Sequence, residues 1–465
     1  MSGVGRPAAM RALVVLALVL LAGCVTPSPS ISPASVTGII AGAPAVFGKA
    51  QIIDTVRAGG EPAVVVTPKG TILVATHPGY THFTDPDPDL VLENSAQTYM
   101  WRSTDQGKTW SYVGLPMVNA GPRNAVPSIS DPDFSVAKDG TIYYSDLWLV
   151  DLSAQMSTDD GQTWLPGQPV VAHQPTSDDP LNGNQGTEDR NWIAAGNASG
   201  EVYLAWQGDK GVVVGRSTDG GMTWPQQTAL GIDYCILGKL RFDPTTNTVL
   251  EPLATKDGVL IAASHDQGKT FTKLFAHNAT AGQNAGGCPD ANLFPTLDVD
   301  KAGNYYVVWS EGAEGMRVGL SVSQDHGVTW SPPTWVSGAN ETALFPWVVA
   351  GDAGRVSVLW LSTAGKTKPD AATGDWFVHD AVSLDFGATF AQGLVSEKPS
   401  HHGNICTGGV GCVTARGDRR LGDYFTATID LKGHLVVAYA DTMAGGGLSH
   451  PSVAIQTEGP ALRAS

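Results

Sequence analysis

Short apolar runs recur along the chain in pairs, each pair bracketing a turn. They read "PAVVVTPKGTILVAT" (62–76), "DFSVAKDGTIYYSDL" (133–147), "NWIAAGNASGEVYLAW" (191–206), "FPTLDVDKAGNYYVVWS" (294–310) and "FPWVVAGDAGRVSVLW" (345–360). Val, Ile, Tyr and Trp flanking Lys-Gly, Asp-Gly or Ala-Gly turns is the pattern of a β-hairpin. The stretch 239–262 is a poorer copy. A further copy, "GDYFTATIDLKGHLVVAYAD" (422–441), is followed by one more candidate strand, "PSVAIQT" (451–457). Beyond the N-terminus no long segment carries a 3.6-residue apolar period, so an all-β chain is expected.

A second repeat follows most of these pairs. It reads "STDQGKTW" (103–110), "STDDGQTW" (157–164), "STDGGMTW" (217–224), "SHDQGKTF" (264–271), "SQDHGVTW" (323–330) and "SLDFGATF" (383–390). The first serines are 54, 60, 47, 59 and 60 residues apart, room for one four-stranded blade per repeat. Within each repeat the Asp carboxylate is suited to accept backbone N–H groups of its own turn, and Gly supplies a positive φ. Thr can reinforce the turn through its hydroxyl, and the final aromatic packs between strands.

These six segments resemble the Asp boxes of sialidases and related β-propellers, over most of the chain. The resemblance implies a single β-propeller spanning 49–465. It also implies that Asp105, Asp159, Asp219, Asp266, Asp325 and Asp385 are structural residues on outer turns, away from the central pocket. Seven hairpins with six boxes predict seven blades, with "AQIIDTV" (50–56) supplying the outer strand of the last one. Closing the ring in this way removes exposed edges. Six blades, the usual sialidase count, is the alternative.

Composition adds a compartment. Arg6 and Arg11 precede the apolar run Ala12 to Ala22, which is too short for an ordinary spanning helix and ends at Leu21-Ala22-Gly23-Cys24. That tetrapeptide resembles the lipobox of prokaryotic lipoproteins. The resemblance implies a signal peptide over 1–24, acylation of Cys24 and attachment to the cell envelope or surface through lipid alone. Residues 25–48, rich in Pro, Ser and Ala, read as a tether. The other cysteines, Cys235, Cys288, Cys406 and Cys412, are an even set in an export context. The preferred pairing closes the loop "CTGGVGC" with Cys406–Cys412 and leaves Cys235–Cys288. A net charge of −16 argues against nucleic acid as a partner. The chain is expected to be a monomer.

In a propeller the inner strands start near the axis, so residues at their beginnings are the candidates for chemistry. These are Arg57, Glu61, Asp131, Asp133, Glu188, Asp189, Arg190, Asp290, Arg419, Arg420, Asp423 and Tyr424. Sialidases clamp the substrate carboxylate with three arginines, attack with a Tyr activated by a Glu, and use an Asp as acid/base. Carried over, the resemblance implies Tyr424 as nucleophile, Glu188 as its partner and Asp131 or Asp133 as acid/base. Arg57, Arg190, Arg419 and Arg420 become the candidate clamp. The chain departs from the family at Gly60-Glu61-Pro62, where sialidases carry Arg-x-Pro, and a carboxylate there would repel an acidic sugar.

No cofactor is expected and no metal at this site. The acids of "TDPDPDL" (84–90) and "SDPDF" (130–134) offer oxygen ligands for a structural Ca²⁺, with proline-spaced turns as the competing reading. Two functions are therefore in play. One is a surface glycan hydrolase of the exo-sialidase type; the other is a non-catalytic propeller that binds a glycan or protein.

Overall fold

A computed structural model describes residues 42–77, 98–114, 117–118, 126–127, 130–148, 151–170, 188–208, 210–278, 293–312, 314–409, 411–412, 417–445 and 447–464. It is a seven-bladed β-propeller. The first blade is built from Gly60–Val66, Ile72–His77, Tyr99–Ser103 and Ser111–Gly114, and the second from Ser130–Val136, Ile142–Trp148, Asp151–Ser157 and Leu165–Pro169. The third to sixth blades begin at Asp189, Ile236, Thr296 and Glu341, and each is a four-stranded antiparallel meander at its core.

The seventh blade closes the ring with both ends of the chain. Thr426–Ile429, Leu435–Asp441 and His450–Glu458 form its inner three strands. Val46–Phe47 and Gln51–Ile52 pair with the last of these as the outer edge. The expected closing strand is thus present in two short pieces, and it begins at Val46, inside the stretch expected to be tether. Backbone bonds Gly48 N–H to Ile455 O (2.9 Å) and Ile53 N–H to Pro451 O (2.9 Å) extend the ladder on either side.

The poorer copy at 239–262 is explained by a split inner strand in the fourth blade. Ile236–Leu237 and Arg241–Asp243 both pair with Thr248–Thr255, and the chain breaks pairing between them. Gly238 sits in the break, where a Cβ would meet the Pro295 carbonyl oxygen at 1.8 Å. Only glycine permits that approach.

Each blade is buried on both faces by its neighbours, so its middle strands are largely apolar. Separate clusters fill the seams, for example Leu73, Ala75 and Met100 against Phe134 and Tyr144, and Val308 and Leu320 against Val348 and Trp360. Axis-facing N–H groups of the inner strands have no ladder partner and are satisfied by the preceding blade. Thr426 Oγ1 accepts from Val64 N–H (2.8 Å), Asp133 from Ile193 N–H (2.7 Å) and Asp298 from Ala350 N–H (2.8 Å).

The six eight-residue turns share one hydrogen-bond pattern. In the first, Asp105 accepts from Thr109 N–H (2.9 Å), from the Thr109 hydroxyl (2.6 Å) and from Ser103 Oγ (2.9 Å), while Ser103 Oγ accepts from Gly107 N–H (2.9 Å). The serine's role as a bridge was not part of the sequence expectation. Nor was the left-handed conformation of the residue before the glycine, as at Gln106 (φ 61°) and Phe386 (φ 61°). Cys406 and Cys412 form the expected disulfide. Cys235 is disulfide-bonded, while Cys288, its expected partner, lies outside the described residues. So do Cys24, Asp290 and the acids of 84–90.

Candidate functional site

Three inner strands begin with a bulge that turns a charged side chain toward the axis. Glu61 (φ 46°), Asp131 (φ 51°) and Arg190 (φ 60°) are left-handed non-glycine residues, and each lies at a break in register with the second strand of its blade. Pro62, Pro132 and Asn191 follow them. A bulge frees a residue from the ladder and re-aims its side chain. Phe345 (φ 52°), before Pro346, is the apolar counterpart in the sixth blade. The centre is therefore two-sided, with charge supplied by the seventh, first, second and third blades and an aromatic surface formed by Trp192, Phe294, Trp347 and Tyr424.

The charged side is a connected network. Arg190 and Arg419 both pair with Asp423. Asp423 N–H donates to Glu61 (2.8 Å), and the other Glu61 oxygen lies 2.7 Å from His77 Nε2. An Asp131 carboxylate oxygen lies within 4.8 Å of Glu61; Asp131 accepts from the Ser130 hydroxyl and lies near the Arg190 charge. All of these residues are buried.

Their environments push the carboxyls apart. Burial, reinforced by the Asp131 charge, pushes Glu61 up to about 7. Asp131 is buried too, but Arg190 overcomes that penalty and holds it below the usual carboxylate range. Burial, partly offset by Arg190, pushes Asp189 up to about 6. Below about pH 7 Glu61 thus retains its proton beside an ionised Asp131.

Tyr424 borders this network from the aromatic side. Its ring packs on Trp192 (5.1 Å between centroids) and Phe294 (6.1 Å), and its hydroxyl donates to the Pro132 carbonyl at 2.9 Å. Burial, with the charges of Glu61, Asp131 and Asp133, raises the phenol well above its ordinary value. Asp133 points away from this group and pairs with buried Lys239. Desolvation pulls Lys239 down to about 8 despite that partner.

Of the residues expected here, Asp131, Asp189, Arg190, Arg419, Asp423 and Tyr424 come together with Glu61. Arg57 and Arg420 do not. Arg57 pairs with Asp54 (2.9 Å) and lies over the Tyr112 ring (3.9 Å), on the outer strand of the first blade. Arg420 pairs with Asp418 (2.6 Å) and donates to the Gly447 carbonyl (3.2 Å). The clamp of four candidates is corrected to two guanidiniums, both engaged by one protein carboxylate. Glu188 lies beside Trp206 and Gly208, and the Tyr424 hydroxyl bonds Pro132 instead of a glutamate.

His77 and Lys239 were missed. His77 stands opposite Gly60 in the first hairpin, so pairing the two strands by hand would have placed it beside Glu61. Lys239 lies in the irregular fourth copy and has no such signal. One atom each from Glu61, His77 and Asp131 lie within 4.8 Å of one another, a donor set able to hold a metal ion; in the described structure Glu61 pairs with His77 and Asp131 lies near the Arg190 charge.

No protein-family model and no curated protein matches the chain. Among solved structures it is similar to a protein of unknown function from Dyadobacter fermentans, with 15% identity, 89% of this chain and 99% of that one covered, and a TM-score of 0.45. It is also similar to an α-L-arabinofuranosidase from Fusarium graminearum (12% identity, 90% and 97% covered, TM-score 0.42). A third is the intramolecular trans-sialidase from Ruminococcus gnavus (13% identity, 85% and 93% covered, TM-score 0.39). Likeness at this level carries no argument about chemistry, and the seven-bladed propeller rests on the strand pairing itself.

Proposed function

We propose that the chain is an exported, lipid-anchored glycoside hydrolase acting on surface or exogenous glycans, with Glu61 as general acid and Asp131 as the partnering carboxylate. The observation that carries this reading is the split between these two neighbouring carboxyls, with oxygens within 4.8 Å, one raised to about 7 and the other lowered. Glycosidases need that division: one carboxyl protonates the leaving oxygen while the other attacks or stabilises the anomeric carbon. Their close approach matches retention better than inversion, which needs roughly 6.5–9.5 Å for a water.

In this reading Glu61 gives its proton to the glycosidic oxygen as the C–O bond breaks, and Asp131 takes the anomeric carbon. Water then returns the sugar, with Glu61 recovering the proton. Arg190 keeps Asp131 ionised, and Asp423 positions Glu61 through its backbone N–H. The substrate is a neutral sugar, because Asp423 engages both guanidiniums that could have clamped a carboxylate. Tyr424 acts as a packing and hydrogen-bonding residue.

The full chain is assayed against a panel of neutral and acidic aryl glycosides. Glu61→Gln should lower turnover of a neutral substrate by about 10²–10⁴-fold. Activity lost in Tyr424→Phe but kept in Glu61→Gln would restore the tyrosine mechanism. A second reading, a non-catalytic binding propeller, is favoured by the same pairing of Arg190 and Arg419 with Asp423, which ties the last blade to the third. No turnover across the panel would select it.

A further inference from the structure

The seam between the seventh and first blades opens into a cleft of about 580 Å³ at the opposite end of the inner strands from Glu61. Its rim carries Lys49, Lys69, Lys108 and Lys432, four of the chain's 14 lysines, brought together from three turns and the link between the two edge-strand pieces. All four are exposed. None of their ammonium groups has a hydrogen bond or ion pair with a described residue, whereas Lys239 pairs with Asp133 and Lys301 with Asp352. The acid on the lining, Asp430, accepts the backbone N–H groups of Lys432 and His434 (both 2.8 Å) and is held in its own turn. In a chain of net charge −16 this is a local reversal of sign.

The floor is of the opposite character. Ile72, Val436 and Val453 lie beneath it in the seam core, at most 3% exposed, and the accessible aliphatic surface comes from partly buried Ile455 and from Leu431, 63% exposed at the edge. No Trp, Tyr or Phe lines the cleft, so it lacks the broad flat faces on which sugar rings stack. Four unpaired cations above an aliphatic floor complement an anion with a hydrocarbon tail.

We propose that this cleft binds a single anionic amphiphile, with a phosphate or carboxylate head among the four lysines and an alkyl chain along the floor. The ligand would contact the hairpin turn and outer turn of the first blade and the hairpin and last strand of the seventh. It bridges the two blades that close the ring, so binding should raise the melting temperature.

The test titrates the full chain with decyl phosphate and follows melting temperature and affinity. Inorganic phosphate supplies the head alone, decanol the tail alone, and octyl phosphate the chain-length dependence. The proposal expects decyl phosphate to bind more tightly than either fragment. Two methylenes, at about fourfold each, should separate decyl from octyl phosphate by roughly fifteenfold. Lys69→Gln with Lys432→Gln should weaken binding at least tenfold, while Lys269→Gln with Lys273→Gln, on the fourth blade, should not.

Equal binding of phosphate and decyl phosphate would overturn the proposal in favour of a simple anion site. Equal binding of decanol, or equal loss in the control pair, would overturn it as non-specific. The Glu61→Gln variant should bind decyl phosphate normally, so failure here is separable from failure of the hydrolase reading.

Discussion

Ile455 of the last blade occupies the space beside Gly107 of the first: a Cβ on Gly107 would fall 2.6 Å from Ile455 Cδ1. The same relationship recurs around the ring. Gly161 meets Leu73, Gly220 meets Met156, Gly327 meets Leu274 and Gly387 meets Leu320, each glycine reaching a side chain of the preceding blade. The eight-residue turns therefore serve the seams between blades as well as the hairpins within them. Gly387→Ala should destabilise the chain by roughly 2–5 kcal/mol, combining a left-handed alanine at φ 77° with overpacking against Leu320 at 2.5 Å. Gly365→Ala separates the two effects, because φ is 90° there but nothing lies within 4 Å; about 1–2 kcal/mol is expected. Urea unfolding of both variants gives the comparison, and equal losses would rule out a seam contribution.

Asp423 holds two buried guanidiniums and, through its N–H, the first blade. Asp423→Asn leaves Arg190 and Arg419 in the interior without a counter-charge. A loss of about 3–5 kcal/mol is expected, the range for breaking a buried pair. Arg420→Met should cost under about 1 kcal/mol, since the Arg420–Asp418 pair is partly exposed. A small effect of Asp423→Asn would mean that the network is not what closes the centre of the ring.

The ring was legible because its signals are local. Turn glycines and apolar hairpins mark each blade within about 15 residues, and the missing seventh outer strand pointed to the N-terminal segment that supplies it. The centre was only half legible. Glu61-Pro62 and Asp131-Pro132 sit at equivalent strand starts, yet nothing in either sequence states that a bulge turns the acid inward. Arg419 and Arg420 are neighbours in sequence, but only Arg419 reaches Asp423, because Asp418 captures the other. Arg57 lies four residues from Glu61 and is held by Asp54 against Tyr112 instead. Sequence proximity to the axis did not fix the direction of a side chain.

Acid should unfold the propeller through its turns. Hydrogen bonds from Thr109 lower Asp105 to about 2, those from Thr270 lower Asp266 to about 2, and those from Thr163 outweigh slight burial and lower Asp159 to about 2. A carboxylate lowered on folding stabilises the native state above its unfolded pKa, near 4, and loses that contribution as pH falls toward 2. Melting temperature should therefore drop steeply between about pH 4 and pH 2. Asp105→Asn should have a smaller drop across this window than the parent chain, and identical slopes would show that the turn is not the titrating element.

The alkaline side has a separate origin and the opposite sign. Burial pushes Asp380 up to about 7 despite a hydrogen bond from Ser357, and Glu61 to the same value. A carboxyl raised on folding contributes its stability below the unfolded pKa and loses it as pH rises through the folded one. Stability should fall between about pH 4 and pH 7 and level off above it, leaving the maximum on the acid side of neutrality. Asp380→Asn removes one of these groups while keeping its size, so the variant should gain on the parent steadily across that interval. Urea unfolding at about pH 4, 5.5 and 7 measures the gain directly. Parallel curves for variant and parent would mean that Asp380 does not take up its proton on folding. Because Asp380 lies in the sixth blade's third strand, outside the axial network, its variant should leave the pH dependence of any glycosidase activity unchanged, whereas Glu61→Gln should remove the limb near pH 7.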